Sequence, residues 1–528
     1  MCSTRKAAFL VFVALLYLFF RGAGDHGLLD PVEGINASVA LNMVGRRNIV
    51  VPLAGDLPYL GKTMGFWWCS TLSLLLFGWL EFSVRFWSVV GGLGMSAASW
   101  FIARRIQGER AANYAAVMTG TSLLTYASSQ LASPHALYAC CVAAALAGIV
   151  EGIQDRRFFL LLHVSSMLAF IVYGPSGAVL PWLCLLLYAY IADEDRLFLD
   201  ALFDRRGLLA TVFLGGGYLF FLTMKNPAIL TLMRYNPPAP AFNSISSKML
   251  FLSAGFFPWL GLLPESVKNA LPPDWNFTLP HERRNVLLLI WTIVFLFFAL
   301  FSGDALLLVV PLPALASLCA ASLAAAVEKN DAVLFQRAVV MEILLFVPFL
   351  FLEIPWVYYR NIKYLRNTLM SVVPWMFFCL LFLFAGWYYA KTRQPRKLML
   401  HLSVVSLLSL LPLAGAFDLL AEAASLRDVG LHLRNSLGRD DLLIQYGMNR
   451  PSLFFYTAKD SVLIRSSLVP GVAGQKSLDD SFLHELWNGA GRVFMTVDRR
   501  LQFSTPLPED VYSVNETRET IVLSNRRE

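Results

Sequence analysis

The chain has 528 residues, of which 57% are hydrophobic and 15% charged, with a formal net charge of +7. Soluble domains carry roughly 25% charged residues, so the composition excludes an ordinary water-soluble enzyme and indicates a polytopic membrane protein. Many of the basic residues lie in short loops between apolar runs, which argues for membrane topology and against a nucleic-acid partner.

A bilayer-spanning helix needs about 20 apolar residues, and irregular backbone finds no hydrogen-bond partner in hydrocarbon, so each long apolar run reads as a helix. In chain order, spans are predicted near residues 7–20, 86–103, 113–130, 136–150, 158–173, 176–192, 208–223, 249–263, 286–301, 305–326, 337–352, 369–389 and 399–417. Arg5 and Lys6 precede the first run and no small-residue cleavage site stands before Asp25, so the first run reads as an uncleaved span with a cytoplasmic N-terminus. All cysteines except Cys2 sit in apolar stretches and read as small buried hydrophobes, not as a disulfide framework or a thiolate metal site.

The segment "FWWCSTLSLLLFGW" (66–79) decides the orientation. If it lies along the outer face without crossing, the basic loops "ARRIQGER", "GIQDRR", "FDRRG", "HERR" and "AKTRQPRK" all fall on the cytoplasmic side, as the positive-inside rule requires. The stretches 22–85, 131–135, 173–177, 224–248, 302–304 and 353–368 then face outside. So does the tail, 422–528, in which predicted strands at "DLLIQY", "SVLIRSS" and "RVFMTVD" alternate with helical patterns. The fold class is an all-α polytopic membrane protein, residues 1–421, with a small C-terminal α/β domain outside the membrane.

The first outer stretch is long and polar for a connector, with Asp30, Glu33, Arg46, Arg47, Asp56, Lys62, Glu81 and Arg85. Asp30-Pro31-Val32-Glu33 fits a helix start, with Asp at the N-cap, Pro at the first position and Glu at the third. The same two carboxylates fit acid–base chemistry at a membrane surface, and spacing alone leaves both readings open. Ile35, Val39 and Met43 form an apolar stripe suited to a helix lying on the bilayer.

Four segments in this stretch, "PVEG", "NIVVPLAG", "YLGKTMGFWW" and "FGWLEFSVR", resemble in order and spacing the first outer loop of the GT-C glycosyltransferases of the lipid A aminoarabinose transferase and protein O-mannosyltransferase type. Further similarity lies in "GFFPWLGLLP" (255–264), "VVPLPALASL" (309–318) and "RPSLFFYTAK" (450–459), so the resemblance runs through nearly the whole chain. Val32 stands where that family has an acidic residue before the Glu, His135 where it has an Asp, and Tyr173 and Asp304 near positions of lysines.

The resemblance implies transfer of a sugar from a polyprenyl-phosphate carrier to a lipid, glycan or protein acceptor outside a bacterial inner membrane, as in lipopolysaccharide or protein glycosylation. A hydroxyl acceptor must lose a proton as it attacks, which assigns Glu33 first and Asp30 second as base. The leaving phosphate needs cations, which assigns Lys62, Arg85 and Arg234. His135, Tyr173 and Asp304 are candidate cavity residues. No nucleotide cofactor is implied, and a divalent metal is left open. Two rivals are a non-catalytic relative that binds lipid-linked glycan, suggested by Val32, and a transporter or flippase, against which no paired broken helices are seen.

Overall fold

The computed structural model describes residues 2–46, 49–59, 63–225, 244–271, 280–329 and most of 377–526. Lys62, Arg234 and the expected span 337–352 lie outside the described residues, and 369–389 is described only in part.

Helix α1 (Cys2–Arg21) leads into α2 (Val32–Arg46), whose inner face buries Ile35, Val39 and Met43. A two-stranded hairpin follows, β1 (Leu53–Ala54) and β2 (Leu57–Pro58). Helix α3 (Gly65–Phe77) has 13 residues, short of the ~20 needed to cross hydrocarbon, in keeping with a segment that lies along the surface. Leu72, Leu75, Leu76 and Phe77 stand exposed on it, an apolar face suited to lipid.

Helices α4 (Glu81–Gln107), α5 (Glu109–Thr121), α6 (Leu123–Ser129), α7 (Pro134–Gly152) and α8 (Phe159–Tyr173) form the centre of a bundle, with Leu312–Lys329 packed against α4 and α5. Met95, Met118, Tyr138, Leu146 and Leu315 fill the space between them. Six helices among the described residues are long and apolar enough to cross a membrane: Glu81–Gln107, Pro134–Gly152, Arg156–Tyr173, Arg205–Met224, Arg284–Phe301 and Ala305–Lys329. A seventh candidate is the pair Ile245–Gly255 and Leu260–Ala270, bent by 101°. The expected straight span 249–263 is therefore a bent pair, because Pro258 in "GFFPW" interrupts the hydrogen-bond ladder. The expected span 113–130 breaks at Ser122, whose backbone is extended and whose hydroxyl bonds the Met118 carbonyl, competing with the helix.

The C-terminal region carries a five-stranded sheet in the order β4-β3-β5-β7-β6. Its strands are β3 (Leu442–Tyr446), β4 (Val462–Ile464), β5 (Val493–Asp498), β6 (Tyr512–Glu516) and β7 (Thr520–Ser524). β3 is parallel to both β4 and β5, while β7 runs antiparallel to β5 and β6. The three strands expected from sequence occupy the parallel half, and the antiparallel hairpin that completes the sheet was not foreseen. Ile444, Trp487, Met495 and Ile521 build the core of one face.

This region docks on the loop that connects α1 to α4. Leu28 N–H donates to the Tyr456 hydroxyl at 2.9 Å, Ser38 Oγ donates to the Pro451 carbonyl at 2.9 Å, and Arg427 pairs with Glu81 at 3.0 Å. The Arg434 guanidinium lies 4.0 Å over the Trp79 ring.

Candidate functional site

Glu33 lies in the first turn of α2 and Arg85 in the second turn of α4, and both side chains are completely enclosed. Arg85 Nε donates to Glu33 Oε1 and Nη2 to Glu33 Oε2, each at 2.8 Å, a two-pronged ion pair. The remaining Arg85 donors reach the carbonyls of Ala23, His26 and Gly27 at 2.8–3.1 Å. A guanidinium has five N–H donors, and all five are spent on this loop, which leaves none for a carrier phosphate.

Glu33 is equally occupied. Beside Arg85 it accepts Leu29 N–H at 2.8 Å and Ala132 N–H at 2.5 Å. Burial pushes its carboxyl up, but the Arg85 charge and hydrogen bonds outweigh burial and hold it below the usual carboxylate range. A glutamate completing the expected capping box would accept the Asp30 N–H, which instead donates to the Ala424 carbonyl at 3.1 Å, while Glu33 reaches one residue further back to Leu29 N–H. Asp30 does not complete a capping box. It accepts Ser452 N–H at 2.8 Å and the Ser452 hydroxyl, and burial pushes its carboxyl up to about 7. The two carboxylates assigned to acid–base work are thus engaged as a brace within the loop and a tie to the C-terminal region. Val32 points the other way and is 44% exposed.

A second cluster gathers the three candidate cavity residues. His135 follows Ser133-Pro134 at the start of α7, Tyr173 ends α8, and Asp304 precedes the short 3-10 turn Ala305–Val309. His135 Nε2 lies 2.6 Å from Asp304 Oδ2, and its Nδ1 lies 3.1 Å from the Ser133 hydroxyl. The Tyr173 hydroxyl donates to the same Asp304 oxygen at 3.3 Å, while Asp304 Oδ1 accepts Leu306 N–H at 3.2 Å. Tyr173 stacks on Tyr138 with centroids 4.7 Å apart. His135 is buried, whereas the Asp304 side chain keeps 20% of its surface exposed, so the carboxylate is the open end of the pair.

Tyr59 belongs to the same neighbourhood. Its ring meets Trp67 at 5.4 Å, and burial, then the Asp304 charge, push its phenol up to about 12. A Cβ built on Gly174, the residue after Tyr173, would stand 3.7 Å from Thr63 Cγ2.

Lys248 is a polar residue the sequence reading did not select. It is 2% exposed, and its ammonium caps the end of the helix Pro280–Phe301 by donating to the carbonyls of Ala299 and Leu300 at 3.3 and 2.8 Å and to that of Ser302. A lone lysine in the apolar run "ISSKMLFLSAG" was the signal available.

A whole-chain match decides the fold. The crystal structure of ArnT from Cupriavidus metallidurans in the apo state superposes with a TM-score of 0.81 over 99% of this chain and 98% of that one, at 17% identity. The chain thus shares the fold of that ArnT over nearly its whole length. The same ArnT bound to undecaprenyl phosphate matches with a TM-score of 0.80 at 18% identity, covering 98% of each chain. Residues 61–223 match the family described as dolichyl-phosphate-mannose-protein mannosyltransferase. The undecaprenyl phosphate-alpha-4-amino-4-deoxy-L-arabinose arabinosyl transferase of Pectobacterium atrosepticum is 26% identical over 326 residues, 59% of this chain and 57% of the relative. That of Aeromonas hydrophila is 26% identical over 323 residues, 56% of each. The alignment thus spans little more than half the length of these curated relatives.

Proposed function

We propose that this GT-C chain is a membrane glycosyltransferase that moves a sugar from a polyprenyl-phosphate carrier to a lipid, glycan or protein acceptor. The reaction lies on the outer face of a bacterial inner membrane, with about thirteen spans below it and residues 422–528 outside. The observation that carries the reading is the meeting of His135, Tyr173 and Asp304 beside Tyr59, in a fold shared end to end with a transferase whose solved structure is bound to undecaprenyl phosphate.

Asp304 is the base in this reading. An acceptor hydroxyl attacks the anomeric carbon, its proton passes to the Asp304 carboxylate, and the bond from that carbon to the phosphate oxygen breaks with its electron pair leaving on the carrier phosphate. His135 and Tyr173 orient the carboxylate through their hydrogen bonds, so they are positioning residues. Lys62 and Arg234 are the phosphate ligands, because every Arg85 donor is committed elsewhere. Glu33 and Arg85 hold the loop that carries Lys62, and Asp30 docks the C-terminal region on that loop. The exposed Val32 favours one rival, a non-catalytic relative that binds the same lipid-linked glycan.

Release of sugar from a polyprenyl-phosphate donor by purified protein separates the two. Asp304→Asn should lower turnover by roughly 100- to 10,000-fold, the span typical of a lost general base, with donor affinity retained. Equal turnover in Asp304→Asn and wild type sinks the assignment of Asp304. Carrier binding without any turnover in wild type establishes the non-catalytic relative.

A further inference from the structure

A cavity of about 270 Å³ opens between the β1–β2 hairpin and the C-terminal sheet, away from the His135–Asp304 cluster. Its walls come from Gln445 and the loop after β3 (Asn449, Pro451, Phe454), from Asp460 to Leu463 at the amino end of the edge strand β4, and from the loop after β4 (Val469, Val472, Gln475, Lys476).

The hairpin forms one wall of the cavity through Ala54, Gly55, Asp56 and Leu57. Ala473 N–H donates to the Pro58 carbonyl at 2.8 Å, and Tyr59 forms an isolated bridge with Val472. Leu57 and Val472 line the cavity, and Tyr59, paired with Val472, lies near enough to Asp304 for that charge to raise its phenol.

The lining offers hydrogen bonds that the protein itself does not use. Asn449 Nδ2 donates to the Ser467 carbonyl at 2.8 Å, and its Oδ1 makes no hydrogen bond among the described residues. Gln475 Oε1 accepts Val469 N–H at 2.7 Å, which leaves its Nε2 open, and the Lys476 ammonium is likewise open among the described residues. Gln445, by contrast, is spent on Ser461 and the Arg450 N–H at 2.7 and 2.8 Å. The half-buried Phe454 ring supplies an apolar surface. Asp56 is tied to Arg46, and burial, then Asp56, push the Asp460 carboxyl up to about 7.

An acceptor oxygen, an amide donor, an ammonium donor and an aromatic face around a small space suit a ring whose hydroxyls both donate and accept and whose C–H face is apolar. We infer that this cavity holds a sugar ring of the acceptor, so that the acceptor is a glycan whose reacting hydroxyl extends past Tyr59 to Asp304. The inference rests on the glycosyl-transfer reading above and narrows its acceptor class.

The test is saturation-transfer NMR on the full chain in a detergent without a sugar headgroup, with methyl β-maltoside, dodecyl β-maltoside and inorganic phosphate as probes. Saturable transfer to sugar-ring protons of either maltoside is expected, with no response from phosphate. Asn449→Ala and Phe454→Ala should each weaken that binding by roughly 2- to 12-fold, the range for one modest contact. Equal binding of the two maltosides assigns recognition to the sugar alone, and binding of the dodecyl compound alone assigns it to a lipid-linked glycan; both support the site. Absence of saturable transfer from both maltosides overturns the inference, as does binding that neither substitution changes. Release of donor sugar to water is measured on the same preparations and should be unchanged by either substitution. Turnover without sugar binding defeats the cavity alone, whereas sugar binding without turnover defeats the catalytic reading and leaves the cavity standing.

Discussion

Glu33→Gln distinguishes a brace from a catalytic base. The Glu33 carboxylate accepts four hydrogen bonds, two from Arg85 and one each from Leu29 and Ala132 N–H. A glutamine presents one oxygen and one NH2, so whichever way the amide turns, two of those donors face another donor. The Arg85 cation, wholly buried, also loses its counter-charge. Breaking a buried pair from one side costs about 3–5 kcal/mol, since the surviving charge stays out of water. The expected result is a lowered Tm and faster proteolysis in the 22–85 loop, with transfer reduced in proportion to the folded fraction. Arg85→Met combined with Glu33→Gln should recover part of the loss, because no unpaired charge then remains. Thermal unfolding of the purified single and double variants, set beside turnover per folded molecule, is the assay. Wild-type Tm with abolished turnover in Glu33→Gln refutes the brace and restores Glu33 as the base.

Gly34→Ala should loosen the C-terminal region, because a Cβ there meets Asp30 Oδ1 at 2.0 Å and Ser452 N at 2.5 Å; limited proteolysis between residues 422 and 452 reports it, and wild-type resistance refutes it. The Asp30 carboxyl is raised from 3.8 to about 7 in the fold, so its stabilising contribution is complete below about pH 4 and is lost as pH rises through 7, at most about 4 kcal/mol in all. Asp30→Asn, whose amide can accept Ser452 N–H and donate to its hydroxyl, should flatten the fall in Tm that wild type shows as pH rises from about 4 to about 7. A reporter after Arg427 should read outside and one within "AKTRQPRK" cytoplasmic; the reverse pattern overturns the orientation.

The membrane class and most helices were legible because hydrocarbon allows so few backbone solutions that apolar run length nearly suffices. The C-terminal strands were legible for a different reason: "DLLIQY" and "RVFMTVD" are short β-rich runs set between helical patterns. The antiparallel pair Tyr512–Glu516 and Thr520–Ser524 escaped because its first strand is largely polar and lies at the sheet edge, where no burial pattern marks it. The site was half legible. His135, Tyr173 and Asp304 were picked from a resemblance, yet nothing in their spacing tells that residues 169 apart lie 2.6 Å from each other. Glu33 and Arg85 drew notice as charges in a loop, but the burial that joins them in one ion pair depends on Ala23 and His26 from one segment and Ala132 from another.

The tie between Asp30 and Ser452 joins residues 422 positions apart. During synthesis at 5–20 residues per second, the first loop would wait about 20–80 s after emerging before its partner exists. Throughout that interval the helices that frame His135 can insert and pack, but the loop carrying Lys62 lacks its C-terminal anchor. A ribosome-bound chain therefore carries a packed helical bundle whose first loop is not yet held in place, and that loop reaches its final geometry only after Ser452 has folded back on Asp30.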